Sequence, residues 1–395
     1  MKLAFIGSLP TGGIFPPEVL RDRGEGYEHP APWTIGLLPN LAKSTNWKLR
    51  VFIPHWKILR PIVVEKDGVE YEGVPVKIPM RFFRKSYYHS ISIFTTPAIR
   101  RWSPNLIHAF GFETGSAMIA LRSGFPVTAF IQGISEYLKP YYTNRPWLDK
   151  ELGARAESKA VSRVSWMVAE TEFAKNWALK RNPGAMVQII PHPVREEFLS
   201  QEGPTMKKKF VTVGSLDARK AVDVIIKAFA LSSLSDFELV VIGNGPDLQK
   251  LRRLAFDLGV GERVHFEGAL GKEELIERLR NARASIIASR MDTSPNVVTE
   301  AHAIGLPVIG TRVGGIPEMI DHGKDGWTVE MDDADAMAGF MIRLAEEMEE
   351  ARSMGQVGRE KVKTLNCPVS IAAAHVDFFN MVRENLQNTV KASPH

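Results

Sequence analysis

Two carboxylates set eight residues apart, Asp292 and Glu300, bracket the stretch of this chain best suited to chemistry. Between them lies Thr293-Ser294-Pro295-Asn296-Val297-Val298-Thr299, where an apolar run (Ala284 to Ser289) gives way to a polar loop and then to a helix. Ser294 is expected as the N-cap and Pro295 at the first helical position, where its missing N–H costs nothing. The unpaired amides of Ser294, Asn296 and Val297, with Pro295 holding the turn, face the positive end of the helix dipole. Such a helix start takes an anion, best a phosphate or diphosphate. Capping alone also accounts for Ser294 and Pro295. Glu300 sits among Val297, Val298, Ala301, Ala303 and Ile304, so it is either a surface residue or a buried carboxylate that needs a partner or ligand.

The elements that must position these groups read as strand, loop, helix, strand. The helix stops at Gly305, Leu306 to Thr311 follows as a strand, and Gly314-Gly315-Ile316-Pro317-Glu318 forms a second glycine loop. In an open parallel sheet this places the loops at the carboxyl ends of the strands, where such sheets bind ligands. Two further strand ends carry glycine. Phe210 to Gly214 leads into Ser215-Leu216-Asp217-Ala218-Arg219-Lys220, a basic pair at the start of a helix over Val222 to Leu231, read as a phosphate site or a solvated helix end. Val240 to Gly245 carries Gly243 and Gly245, but Leu248 stands where a dinucleotide fingerprint needs its third glycine. Near the start, Gly7 to Gly13 has the glycine spacing of a P-loop, yet Gly13 and Ile14 occupy the positions of its Lys and Ser or Thr. This argues against a nucleotide triphosphatase, and a tight turn at a strand end is the default expectation for Gly12 and Gly13.

The first half alternates apolar runs (3–9, 49–53, 74–78, 106–110, 127–132, 166–169 and 187–190) with helical patterns, notably 149–164 and 172–180. That alternation predicts an α/β fold with mostly parallel sheets covered on both faces. At 395 residues the chain is long enough for two or three domains. A polar, aperiodic stretch over 200–209 marks a linker. The charge changes sign there: residues 1–200 carry 26 basic against 17 acidic residues, while 201–365 carry 22 against 26. One cysteine, Cys367, excludes an intrachain disulfide and points to a reducing compartment, the cytosol. No run approaches a membrane span.

From Gly73 to Phe112 there is no acidic residue, while Lys77, Arg81, Arg84, Lys85, Arg100 and Arg101 interleave with Phe82, Phe83, Tyr87, Tyr88, Phe94 and Trp102. That mixture suits an anionic membrane surface or anionic acceptor, and equally a solvated basic face over buried aromatics. No nucleic-acid-binding module accompanies it.

Taken together, Asp292, Glu300, Gly-Leu-Pro-Val-Ile-Gly-Thr (305–311), Gly-Gly-Ile-Pro-Glu (314–318) and Asp325-Gly326 resemble the donor-site signature of glycosyltransferase family 4, closely over 205–365 and loosely before. The resemblance implies the GT-B architecture, two Rossmann-like doubly wound domains facing across a deep cleft. Residues 1–200 would bind the acceptor, with a helix over 368–390 crossing back to them, and 201–366 would bind a nucleotide sugar. It implies hexose transfer with retention to a saccharide or lipid-linked acceptor, with no metal, no cofactor beyond the donor, and no nucleic acid. Glu300 would accept the ribose hydroxyls and Asp292 a hydroxyl of the donor sugar. Lys220 and the amides at 294–297 would hold the diphosphate beside Gly12, Gly13, Gly214 and Gly243.

Three positions depart from the family. Ser215 replaces an arginine, a charge that Arg219 is expected to supply. Gln132 replaces a histidine near the transferred sugar and cannot carry a proton. Asp292 is one methylene shorter than the usual glutamate. His108, a structural residue by default, would line the cleft. The rivals are a catalytically silent nucleotide-sugar-binding protein, separated by release of free nucleotide, and a nucleotide-sugar epimerase, which would convert the donor with no acceptor present. A peripheral seat on the inner face of the cell membrane is expected where the basic stretch meets anionic lipid.

Overall fold

The structure is a computed structural model describing residues 1–7, 9, 14–21, 33–77, 86, 88–141 and 146–392. It divides into two compact units, Met1–Pro193 with Pro368–His395, and Val194–Cys367. The break falls at Pro193/Val194 rather than in the polar stretch 200–209. Val194 and Phe198 are already buried in the second unit's core, and the short helix Glu196–Leu199 precedes the polar residues.

The first unit is built on an eight-stranded sheet: β1 (Lys2–Ile6), β2 (Lys48–His55), β3 (Ile62–Lys66), β4 (Val69–Pro75), β5 (Leu106–Phe110), β6 (Val127–Ile131), β7 (Trp166–Ala169) and β8 (Met186–Ile189). Their order is β3-β4-β2-β1-β5-β6-β7-β8, parallel except for β3. Every residue of β5 and β6 is buried, as a strand covered on both faces requires. The edge strand β3 is absent from the sequence reading. Its signal was the Asp67-Gly68 pair, whose φ values of 53° and 76° close a two-residue hairpin. The final helix, Pro368–Ala392, joins this unit by burying Ile371, Phe378, Phe379 and Val382 with Leu3, Phe5 and Leu41.

The second unit holds β9 (Lys209–Val213), β10 (Glu238–Ile242), β11 (Val264–Gly268), β12 (Ala284–Ile287), β13 (Val308–Thr311) and β14 (Gly326–Val329). They are ordered β11-β10-β9-β12-β13-β14 and all parallel. That is the doubly wound order, with its switch point between β9 and β12. The first unit has its own switch point between β1 and β5.

His108 corrects one expectation. It is fully buried, with its ring 5.1 Å from that of Phe379 and 6.2 Å from that of His375, and Nδ1 2.8 Å from the Thr128 hydroxyl. Lying mid-strand rather than at the strand end, it belongs to the core and lines no ligand groove. Burial holds its imidazole well below the ordinary range, and lowers His375 and His302 to about 4. Each is neutral when folded and takes up a proton on unfolding below about 6.5. Their contribution is therefore complete above pH 6.5 and lost as pH falls toward 4, roughly 3 kcal/mol for each histidine. We expect the thermal midpoint of His375→Leu to fall less between pH 7 and 4.5 than that of the unaltered protein.

Candidate functional site

The carboxyl edge of the second sheet gathers four loops, those after β9, β10, β12 and β13. They are locked in pairs by glycine. A Cβ on Gly243 would stand 1.8 Å from the Gly214 carbonyl oxygen, and one on Gly314 1.8 Å from that of Asp292. Gly243 and Gly314 also have φ of 135° and 56°, where side chains are strained. The packing of one loop on another thus accounts for these glycines by itself. Gly314→Ala is expected to cost about 1–3 kcal/mol by forcing the loops apart, read as a lower unfolding midpoint.

Between the two loop pairs sits Asp292. Its Oδ2 accepts hydrogen bonds from Lys220 Nζ at 2.7 Å and Arg219 Nη1 at 3.0 Å. Burial works to raise this carboxyl, but the two cations outweigh it and hold it below the usual range. Arg219 therefore stands beside Lys220 on the same carboxylate, at the switch point, although Ser215 occupies the arginine position of the resemblance. Asp217, which sequence reasoning passed over, shapes this turn: its Oδ1 accepts from the amides of Arg219 and Lys220, and its Oδ2 from the Ser215 hydroxyl. The signal was an aspartate two residues ahead of a basic pair, the usual side-chain turn. Arg290 braces the same loop by donating to the Ala218 carbonyl and to Asp223.

The helix after β12 runs Asn296–Ile304, one residue later than expected. Pro295, extended at ψ 119°, is the N-cap, and no side chain caps the helix. Ser294 is not the cap, because its hydroxyl turns to the Met319 sulfur at 3.6 Å. The Val298 amide bonds the Pro295 carbonyl, and helix geometry leaves the amides of Asn296 and Val297 without intrahelical partners. Gly305, at φ 92°, ends the helix.

Glu300 lies on this helix, only 8 % exposed, with Oε1 accepting from Arg195 Nη2 at 2.9 Å. Arg195 rests on the Phe198 ring and lies more than a hundred residues upstream, so no local pattern could have revealed it. Asp325-Gly326 proves structural: Asp325 is fully buried and pairs with Lys361 at 2.7 Å, and Gly326 lies against the Val308 carbonyl. Gly12 and Gly13 lie outside the described residues. Gln132 follows β6, in the first unit. Among the described residues no group of three or more His, Cys, Asp or Glu is spaced to hold a metal ion.

Two parallel-sheet α/β units with these strand orders define the GT-B fold. Over 96 % of the chain the structure matches sucrose-phosphate synthase from Thermosynechococcus elongatus, with a TM-score of 0.80, 18 % identity and 98 % of that chain covered. The sequence signature of the family Glycosyl transferases group 1 matches residues 194–361. Among curated proteins it is 34 % identical over 158 residues to N-acetyl-alpha-D-glucosaminyl L-malate synthase of Bacillus anthracis (40 % of this chain, 41 % of that one). It is 32 % identical over 196 residues to GDP-mannose-dependent alpha-(1-6)-phosphatidylinositol monomannoside mannosyltransferase of Mycobacterium tuberculosis (47 % of this chain, 49 % of that one). The matches thus span less than half the length of either relative.

Proposed function

We propose that this chain transfers a hexose from a nucleotide-diphospho-sugar to a saccharide or lipid-linked acceptor, with retention of anomeric configuration. The second unit takes the donor. Lys220, Arg219 and the Asn296 and Val297 amides meet the diphosphate, Glu300 the ribose hydroxyls, and Asp292 a hydroxyl of the donor sugar. The observation that carries this reading is the convergence of two cations and a helix start on one switch point. As the glycosidic bond breaks, negative charge grows on the leaving diphosphate, so groups aimed there stabilise the transition state more than the ground state.

Asp292 has two tasks in this account. Before the donor arrives it holds Arg219 and Lys220 in place, and its carboxylate then faces the sugar as they turn to phosphate. Arg219 answers in this reading for the charge that Ser215 lacks, one of the two departures, with Gln132, that favour a silent binding protein. The diphosphate rests on protein groups, so transfer is expected to persist in EDTA. Proton NMR of the product tests the reading: the new linkage should keep the donor's anomeric configuration, and an inverted product or an epimerised donor would overturn it.

The basic stretch is proposed to seat the chain on anionic lipid through its charge; of its described aromatics, Tyr88 and Trp102 are buried and Phe94 packs on the core. Arg81, Arg84, Lys85, Phe82, Phe83 and Tyr87 lie outside the described residues. Neutralising the exposed Arg100 and Arg101 should reduce sedimentation with phosphatidylserine vesicles, each basic residue adding about 1 kcal/mol. Among the described residues no helix is long and apolar enough to cross a membrane.

A further inference from the structure

The first unit carries a second constellation that none of the above uses. At its switch point, between β1 and β5, the loop Gly111-Phe112-Glu113 leaves β5. Phe112 plugs the core, and the Glu113 carboxyl folds back across Gly111, where a Cβ would stand 2.8 Å from both its oxygens. The amides of Glu113 itself, Gly133 and Phe112 donate to this carboxyl, yet its Oε2 is buried and receives no hydrogen bond. Two strands further on, β7 is followed by Glu170, 7 % exposed, whose Oε1 is likewise buried without a hydrogen-bond donor and lies 3.4 Å from His192 Nδ1. A third carboxyl, Glu157, spends both oxygens on the Ser135 amide at 2.9 and 3.0 Å. Among the described residues no lysine or arginine pairs with any of the three, although this unit is the basic half of the chain.

Buried acceptor oxygens left without donors are costly, and they persist where a ligand supplies the missing hydrogens. A metal ion does not fit, since no three such groups are spaced to ligate one. Burial, the largest cause, pushes Glu113 up to about 7, and Glu170 beside it adds to the rise; Glu157 is pushed up to about 8. A phosphate or carboxylate entering here would meet these carboxyls and, among the described residues, no lysine or arginine paired with them. A sugar hydroxyl brings the donor that each oxygen lacks.

We infer that Glu113 and Glu170 bind hydroxyls of the acceptor, and that the acceptor's reacting end is an uncharged polyhydroxyl ring rather than an anionic group. This rests on the proposed glycosyl transfer. It separates the chain from a relative named for malate, whose carboxylates this edge would repel.

The test is saturation-transfer NMR on the full chain at pH 7.5, with methyl α-D-glucopyranoside, methyl α-D-mannopyranoside and myo-inositol against glucose 6-phosphate and L-malate. At least one neutral probe should bind and the anionic probes should not. Glu113→Gln and Glu170→Gln should each weaken the neutral probe about tenfold, and Glu113→Asp, which withdraws the carboxyl by one methylene, should do the same. Stabilisation by UDP or GDP, measured on the same samples, shows that each variant is folded and tests the donor site separately. Binding of anionic probes in preference, no binding of any probe, or neutral binding unchanged in folded variants would each overturn the inference.

Discussion

Glu300→Ala should lower the turnover of sugar transfer at least about 100-fold, near 3 kcal/mol of lost transition-state stabilisation. The helix carrying Glu300 is buried from Val297 to Ile304, so this carboxylate is held in one place, and Arg195, a cation from outside the helix, donates to it. Two roles are open to such a group: contact with the ribose, or service as a counter-ion for Arg195. Arg195→Ala separates them. If Glu300 only neutralises Arg195, the two variants should be equally impaired. If Glu300 meets the donor, Arg195→Ala keeps most of its turnover while Glu300→Ala does not. Circular dichroism establishes that both are folded, because stripping a partner from a half-buried charge also costs stability.

Lys220→Ala should weaken nucleoside diphosphate binding by about 10- to 100-fold, the value of one charge-assisted hydrogen bond to phosphate. Arg219→Ala should cost a comparable factor, which a solvated helix end would not. The double variant is expected to lose more than either, and to lose stability as well. Asp292 would then keep the upward push of burial with neither cation to oppose it. Calorimetric titration measures the affinities, and equal binding by all variants would remove these side chains from the site.

The second unit was legible because its information is local. Asp292, the glycine loops and the basic pair each fall within a few residues of a strand end, and parallel topology alone carries them to one edge. Val222–Leu231 is helical, as the sequence reading expected. The failures have physical causes of their own. Ser294 obeys the capping pattern, but Pro295 is extended and the helix begins after it. His108 looks like a strand-end residue, yet it points into a core completed by a helix more than 250 residues away, and no local signal marks that. Arg195 gains meaning only from a long-range neighbour. The sequence reading left Glu300 either at the surface or buried and in need of a partner, and the fold buries it beside Arg195.

Isothermal titration of the intact chain with UDP and GDP, with and without their linked sugars, tests the central claim most directly. The account predicts saturable one-to-one binding of at least one of these nucleotides, weakened in Lys220→Ala and abolished by adding Arg219→Ala. A folded protein that takes up none of them, or binds one with undiminished affinity after both cations are removed, would contradict it.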